Sequence, residues 1–343
     1  MRFEDAHYLC GDCGRIFPCE GGIAVILPRS IGRFKEEERR YHDLMSERFE
    51  ELHGLGLERV AVFKEDYLSL LTGLPRGSVV LEVGCGTGWD ARRLLGKGIV
   101  TYCTDISLSM VKRAREYIRE SDVSTALEEQ GNVRFFVADA ESIPFPDNSF
   151  DAVLITAALH HVPSAGTCLT EMARVCKPGG LVVLGFEPNA WPYYTVLPVR
   201  RLLSIAAKSI GIALRSPREA LRKARKVKRV KGAIIELGSE DSDPHSPADR
   251  GAAGFTSGAL RRLISKTGLE PVRITPVWYV NGFIQEFGVF KRLRSPSPDI
   301  QSVLIKIDRL FALIPFLRGM NWHWNIIARK PVRAVRYPSS VPS

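Results

Sequence analysis

The chain has 343 residues, is 45% hydrophobic and carries a formal net charge of +10, which allows one large domain with additions. Its seven cysteines are scattered and odd in number, arguing against a disulfide framework and for a reducing, cytoplasmic setting. Residues 1–9 hold acids and no apolar stretch, and no run of 18 uncharged apolar residues occurs, so neither a signal peptide nor a transmembrane helix is expected.

In chain order, residues 7–28 form a short, Cys-bearing, turn-rich piece, and 34–72 read as two helices with Glu/Arg-rich faces, packed beside the crevice that follows. Regular alternation begins at Val79. The spacing predicts strands over 79–83, 99–104, 133–138, 151–156 and 181–186, with helices over 89–96, 107–119 and 164–176. Ser107 suits an N-cap, and Pro178-Gly179-Gly180 is expected to end the third helix and turn it into the next strand. Such alternation means an α/β fold with a parallel, doubly wound sheet. Residues 188–250 interrupt it. It resumes with Thr256 as N-cap, a helix over 257–267 and a strand over 269–277; after a second interruption over 281–320 comes a strand candidate at 322–328. The Pro/Ser/Arg-rich tail from 331 is expected to be mobile.

The stretch Glu82-Val83-Gly84-Cys85-Gly86-Thr87-Gly88 carries the most information. A buried strand running into alternate glycines and a helix start makes a ligand crevice at the end of a parallel sheet. A dinucleotide fingerprint would need glycine at 89, where Trp89 stands, and no Gly-Lys-Ser/Thr loop follows, so those two phosphate-binding patterns are excluded. Asp105, ending the second strand, can accept both ribose hydroxyls of a nucleoside.

The pattern E-x-G-x-G-x-G resembles the first motif of class I S-adenosylmethionine (SAM) methyltransferases. Four more stretches match in order: Asp139-Ala140-Glu141, the run from Ile143 to Asp151, Leu159-His160-His161-Val162, and Lys177-Pro178-Gly179-Gly180. Together they resemble the branch holding the ubiquinone and menaquinone biosynthesis methyltransferases, over roughly residues 76–187, 254–278 and 321–330. The resemblance implies a seven-stranded Rossmann-like sheet with the last strand antiparallel between the fifth and sixth. It implies a methyltransferase core over 76–330, preceded by a ribbon-like segment (1–33) and helices (34–75), with 188–250 and 281–320 as a substrate lid.

It also implies site roles. Glu82 should orient the methionine amino group. Gly84, Gly86 and Gly88, with Cys85 and Thr87 between them, should line the methionine and ribose. Asp105 should hold the ribose, Ile106 and Met110 should lie against adenine, and Asp139 and Ala140 should take the adenine edge. Cys85 reads as a small wall residue, having no basic partner beside it in sequence. Methyl transfer needs the acceptor held in line with the methyl carbon, and a base only where the acceptor is a hydroxyl or an acidic carbon. His160 and His161 are the candidates, although at least one is expected to pack or bond the loop instead. Tyr41 is a candidate cover for the cofactor.

Two features fall outside that pattern. His7-x2-Cys10-x2-Cys13-x5-Cys19 resembles the second half of a zinc ribbon found before some methyltransferase cores. No first cysteine pair stands ahead of it, so a packing hairpin without metal is expected, with Cys10, Cys13 and Cys19 as weak zinc candidates. Residues 200–231 hold twelve basic residues and one acid, Glu219. With the apolar stretch from 196, this suits a basic amphipathic helix on an anionic membrane. A phosphate-following stripe on RNA and a solvated helix face are the alternatives. Apolar residues at helical spacing from Ile300 to Leu317 favour a greasy lid or membrane-facing surface over RNA, or a packing of the two insertions together. The expected function is methyl transfer from SAM to a small or lipid-like acceptor; an RNA methyltransferase and a SAM-binding protein without catalysis are the rivals.

Overall fold

The computed structural model describes residues 2–4, 7–11, 14–47, 49, 64, 66–120, 132–196, 254–280, 282 and 298–332. The basic stretch 200–231 and Cys13 lie outside the described residues.

The strands are β1 (Arg2–Glu4), β2 (His7–Leu9), β3 (Ile16–Glu20), β4 (Ile23–Ile26), β5 (Val79–Val83), β6 (Val100–Asp105), β7 (Val133–Ala138), β8 (Phe150–Thr156), β9 (Cys176–Pro188), β10 (Glu270–Val277) and β11 (His323–Arg329). They join in the order β1-β2-β3-β4-β7-β6-β5-β8-β9-β11-β10. The run β7-β6-β5-β8-β9 is parallel, and β11 lies antiparallel between β9 and β10. This is the expected Rossmann-like, doubly wound sheet. The turn-rich N-terminal piece does more than pack on the core. β4 pairs in parallel with β7, and β3, β2 and β1 continue outward as an antiparallel meander. Ala24 opposite Phe136 begins that register, and the fully buried Ile23 joins the core beside Cys103 and Ile118.

The helices are α1 (Arg33–Met45), α2 (Trp89–Leu95), α3 (Leu108–Arg119), α4 (Ala165–Val175), α5 (Ala190–Tyr194), α6 (Ser257–Lys266) and α7 (Pro298–Leu313), with a further helical segment over 66–72. Ser107 and Thr256 cap α3 and α6, accepting from the amides of Met110 and Ala259. The segment 66–72, α2 and α3 cover one face of the sheet through Tyr67, Leu71, Leu94, Val111 and Ile118. α4 and α6 cover the other through Leu169, Met172, Leu260 and Ile264. Cover on both faces explains why β5 apart from Glu82, and β8 from Ala152 to Ile155, read as apolar runs.

One boundary moved. The residues Lys177 to Gly180 form the start of β9 instead of a turn. Cys176 pairs with Phe150, and a register shift between Phe150 and Ala152 takes up the irregularity. Gly179 sits at φ 82°, where only glycine is unstrained.

Candidate active site

Strand order reverses between β5 and β8, so a crevice opens at their carboxyl ends. Its floor is the glycine loop. Gly84, Gly86 and Gly88 all have positive φ. A Cβ on Gly84 would stand 2.8 Å from the Ala158 Cβ, whereas one on Gly86 would meet nothing within 4 Å. The first glycine thus lets the loop after β8 close in, and the second leaves open space above the backbone. Cys85 is buried; the neighbouring Cys103 thiol and burial hold its own thiol well above the usual range. Its thiol is therefore held in the neutral form. Thr87 and Met110 are buried, Ile106 is half-buried, and Ala140 packs against the main core.

The acids are held by different means. Asp105 accepts from the Gly86 amide (3.0 Å) and the Ser107 amide (2.9 Å), one bond to each oxygen. Asp139 accepts from the Glu141 amide at 2.9 Å and from the Lys35 ammonium at 2.6 Å. Glu82 is 3% exposed, and its Oε2 is buried without a hydrogen-bond partner. Burial first, then the nearby Asp90 carboxylate, pushes its carboxyl well above the ordinary range. Asp90 is itself buried and receives Lys64 on both oxygens, at 3.0 and 2.9 Å. Lys64 and Arg93 both lie over the ring of Trp89.

Helix α1 reaches across the mouth of the crevice and touches it in three places. Lys35 bridges Asp139 and Glu141. Burial opposes its charge, but bonds to the two carboxylates hold its pKa above the ordinary value. Glu38, one turn on, meets His161 Nδ1 at 3.0 Å and His42 Nε2 at 3.5 Å. Asp43 accepts from the Ser107 hydroxyl at 2.6 Å and from the Ser109 amide at 3.2 Å. Tyr41 is half-buried, its ring edge-on to His42.

The opposite wall is built around Glu187, at the end of β9 and fully shut from solvent. Its carboxylate accepts from the amides of Ala158, Leu159 and His160, and pairs with His160 Nδ1 at 3.0 Å. One side chain thereby sets the path of the loop after β8 and the orientation of an imidazole. His161 lies next to it, ring centroids 4.2 Å apart, but turns toward α1. The sequence pair His160-His161 is therefore split between two neighbourhoods.

Beyond His160 stands an aromatic cluster from the ends of β9, β10 and β11. His323 stacks on Phe186 at 4.1 Å, and Trp278 meets both edge-on at 5.0 Å. Trp322 and Val277 complete it, with Ile305 of α7 against its side. Among the described residues, Trp278 Nε1 and His323 Nδ1 of this cluster, and Tyr279 Oη next to it along the chain, are buried without a partner. Native interiors leave few such atoms.

Sequence reasoning missed Lys35, Glu38, Asp43 and Glu187. A single acid closing the apolar run before Pro188 was the available signal for Glu187. Cys10 and Cys19 are half-buried in the N-terminal meander, and among the described residues the cysteines form no metal-binding group.

A family described as a methyltransferase domain matches residues 81–184. The ubiquinone/menaquinone biosynthesis C-methyltransferase UbiE of Erwinia tasmaniensis is 33% identical over 186 residues, covering 51% of this chain and 71% of that protein. The protein of the same name from Azotobacter vinelandii is 42% identical over 121 residues, covering 34% of this chain and 46% of its own length. Among solved structures, phosphoethanolamine N-methyltransferase 2 of Haemonchus contortus, in complex with S-adenosyl-L-methionine, aligns with a TM-score of 0.49 and 17% identity, covering 89% of this chain and 61% of that one. No helix among the described residues is long and apolar enough to cross a membrane. The chain belongs to the class I SAM-dependent methyltransferases, in the branch of the ubiquinone/menaquinone biosynthesis enzymes, and is a methyltransferase that uses SAM.

Proposed function

We propose that the protein methylates a ring carbon of a hydroquinone-like, lipid-tailed acceptor. The observation that carries this reading is the aromatic cluster at the ends of β9–β11, with its three unpartnered polar atoms beside the His160–Glu187 pair. Flat aromatic walls suit a ring, and buried donors suit its oxygens. The names of the relatives point to the same acceptor class.

The cofactor side fits SAM. The orphaned Glu82 Oε2 suits the methionine ammonium, and the open space over Gly86 admits the ligand against the backbone. Asp105 keeps lone pairs for the ribose, and Asp139, at the end of β7, with Ala140 suits the adenine edge. Bound SAM supplies an electrophilic methyl group whose leaving group is a neutral thioether.

The protein's own residues do the rest. With Nδ1 held by Glu187, His160 takes the acceptor hydroxyl proton at Nε2. The resulting phenolate places electron density on the neighbouring ring carbon, which forms the carbon–carbon bond while the methyl–sulfur bond breaks. That carbon then loses its proton to water, which restores the aromatic ring as a phenolate, and the phenolate takes back the proton held by His160. The cluster of Phe186, Trp278 and Trp322 excludes water and holds the ring plane. Val303, Leu310, Leu313 and Phe316, on and just after α7, are exposed and offer an apolar surface for the acceptor's tail.

The test is incubation of the purified protein with labelled SAM and a short-chain prenylated hydroquinone, followed by mass spectrometry of the product. A carbon-bound methyl group supports the proposal. Transfer to RNA with no methylated ring overturns it.

A further inference from the structure

We propose that Glu38, His42 and His161 form a binding site for a first-row divalent cation such as zinc, at the seam between α1 and the loop after β8. Glu38 and His42 are four residues apart on α1 and so share one face. His161 comes from the far side of the crevice, 123 residues along the chain. One ligand atom from each, a carboxylate oxygen and two ring nitrogens, lies within 4.8 Å of the others.

The spacing is that of a metal site before closure. Ligand atoms at about 2.0–2.1 Å from a tetrahedral zinc stand about 3.3 Å from each other. Here Glu38 Oε2 is 3.0 Å from His161 Nδ1 and 3.5 Å from His42 Nε2. Shifts of a few tenths of an ångström bring both contacts to that value. The donor set selects the ion: two imidazoles and one carboxylate suit zinc, iron or nickel over magnesium or calcium.

Glu38 is a buried member of this cluster. It is 3% exposed. On the same helix, Lys35 pairs with Asp139 and Glu141, and Arg39 with Glu36. His160 is committed to Glu187, so it does not complete the set. A site with three protein ligands keeps a position open for water or a substrate oxygen. An ion here would tie α1 to the β8 loop across the crevice mouth and slow the escape of bound cofactor. The site is argued from its ligands alone and stands independently of the proposed acceptor.

The experiment uses the full chain, stripped with a chelator and titrated with zinc by calorimetry and with cobalt(II) by visible absorption. The expected result is one ion per chain, with ligand-field bands and no thiolate charge-transfer band. H42A and H161A should each weaken binding by at least about tenfold, while the circular dichroism spectrum and a cooperative thermal unfolding transition confirm that they fold. Should H161A not fold, H42A, on a half-buried helix face, carries the same comparison. A variant with Cys10, Cys13 and Cys19 changed to Ser should bind the ion as the parent does. No saturable binding, binding unchanged in H42A and H161A, or binding lost with the cysteines would each overturn the site. Ring methylation by a protein that shows no saturable metal binding would remove this site and leave the proposed acceptor standing. Metal binding without ring methylation would do the reverse.

Discussion

The two walls of the crevice are built on different principles. On the cofactor side, short polar groups are tied to backbone: Asp105 to the Gly86 and Ser107 amides, Asp139 to the Glu141 amide. On the side proposed to take the acceptor, large rings from late strands surround polar atoms that have no partner among the described residues. Backbone-tied acids keep their positions whether or not a ligand is present. Unpartnered donors are satisfied only by one. The first wall is therefore a fixed frame, and the second is completed by what it binds. Glu187 joins them, since the loop it holds faces both.

The largest expected effect comes from breaking that join. E187A leaves three buried amides and an imidazole without their acceptor. Removing one member of a buried charged network costs about 3–5 kcal/mol. Urea unfolding should show a loss of that size, and methyl transfer should disappear with the loop. Parent-like stability would mean that the loop is held by its packing.

Next is the one orphan on the framed side. E82Q should weaken SAM binding by about 100-fold, as expected when one partner of a buried charge pair is neutralised. The raised pKa of Glu82 adds a second readout. A cation beside the carboxyl lowers that pKa again, so any proton held there without ligand is released on binding. Calorimetric heats in the parent should therefore depend on the buffer's ionisation enthalpy, and those of E82Q should not.

How much of this was legible follows the same division. The frame is local in sequence: a glycine loop directly after a strand, an acid at the next strand's end, serine and threonine caps at Ser107 and Thr256. Each is set by its own backbone conformation, so residue type and spacing revealed it. The other wall is assembled from Phe186, Trp278 and Trp322, which two insertions keep far apart in sequence. Their meeting depends on β11 entering between β9 and β10, which is a property of the whole sheet. Glu38 was hidden for another reason. It is one of three successive acids, and only the phase of α1 over the crevice turns it inward and leaves Glu36 and Glu37 exposed.

A smaller effect should follow from removing one unpartnered donor. W278F keeps the ring's bulk against Phe186 and deletes Nε1. If that atom bonds an acceptor oxygen, KM for the hydroquinone should rise about three- to tenfold, with kcat and SAM affinity little changed. A variant that is more stable and equally active would place the indole nitrogen outside the acceptor's reach.

The smallest change at neutral pH is expected from H323F, which preserves the stack on Phe186. Burial, then the neighbouring His160, pushes the pKa of His323 from an ordinary 6.5 down to about 3. The unfolded chain therefore takes up this proton before the folded one does. The contribution of the neutral ring is complete above about pH 6.5 and is lost as the pH falls toward about 3. Over that window the parent should lose stability more steeply than H323F, by up to about 1.4 kcal/mol per pH unit for one proton. Denaturation series at several pH values would show the two curves together near pH 7 and diverging in acid. Parallel curves would mean that the ring reaches solvent or finds a proton acceptor, and the ligand-completed wall would then lose one of its three unpartnered atoms.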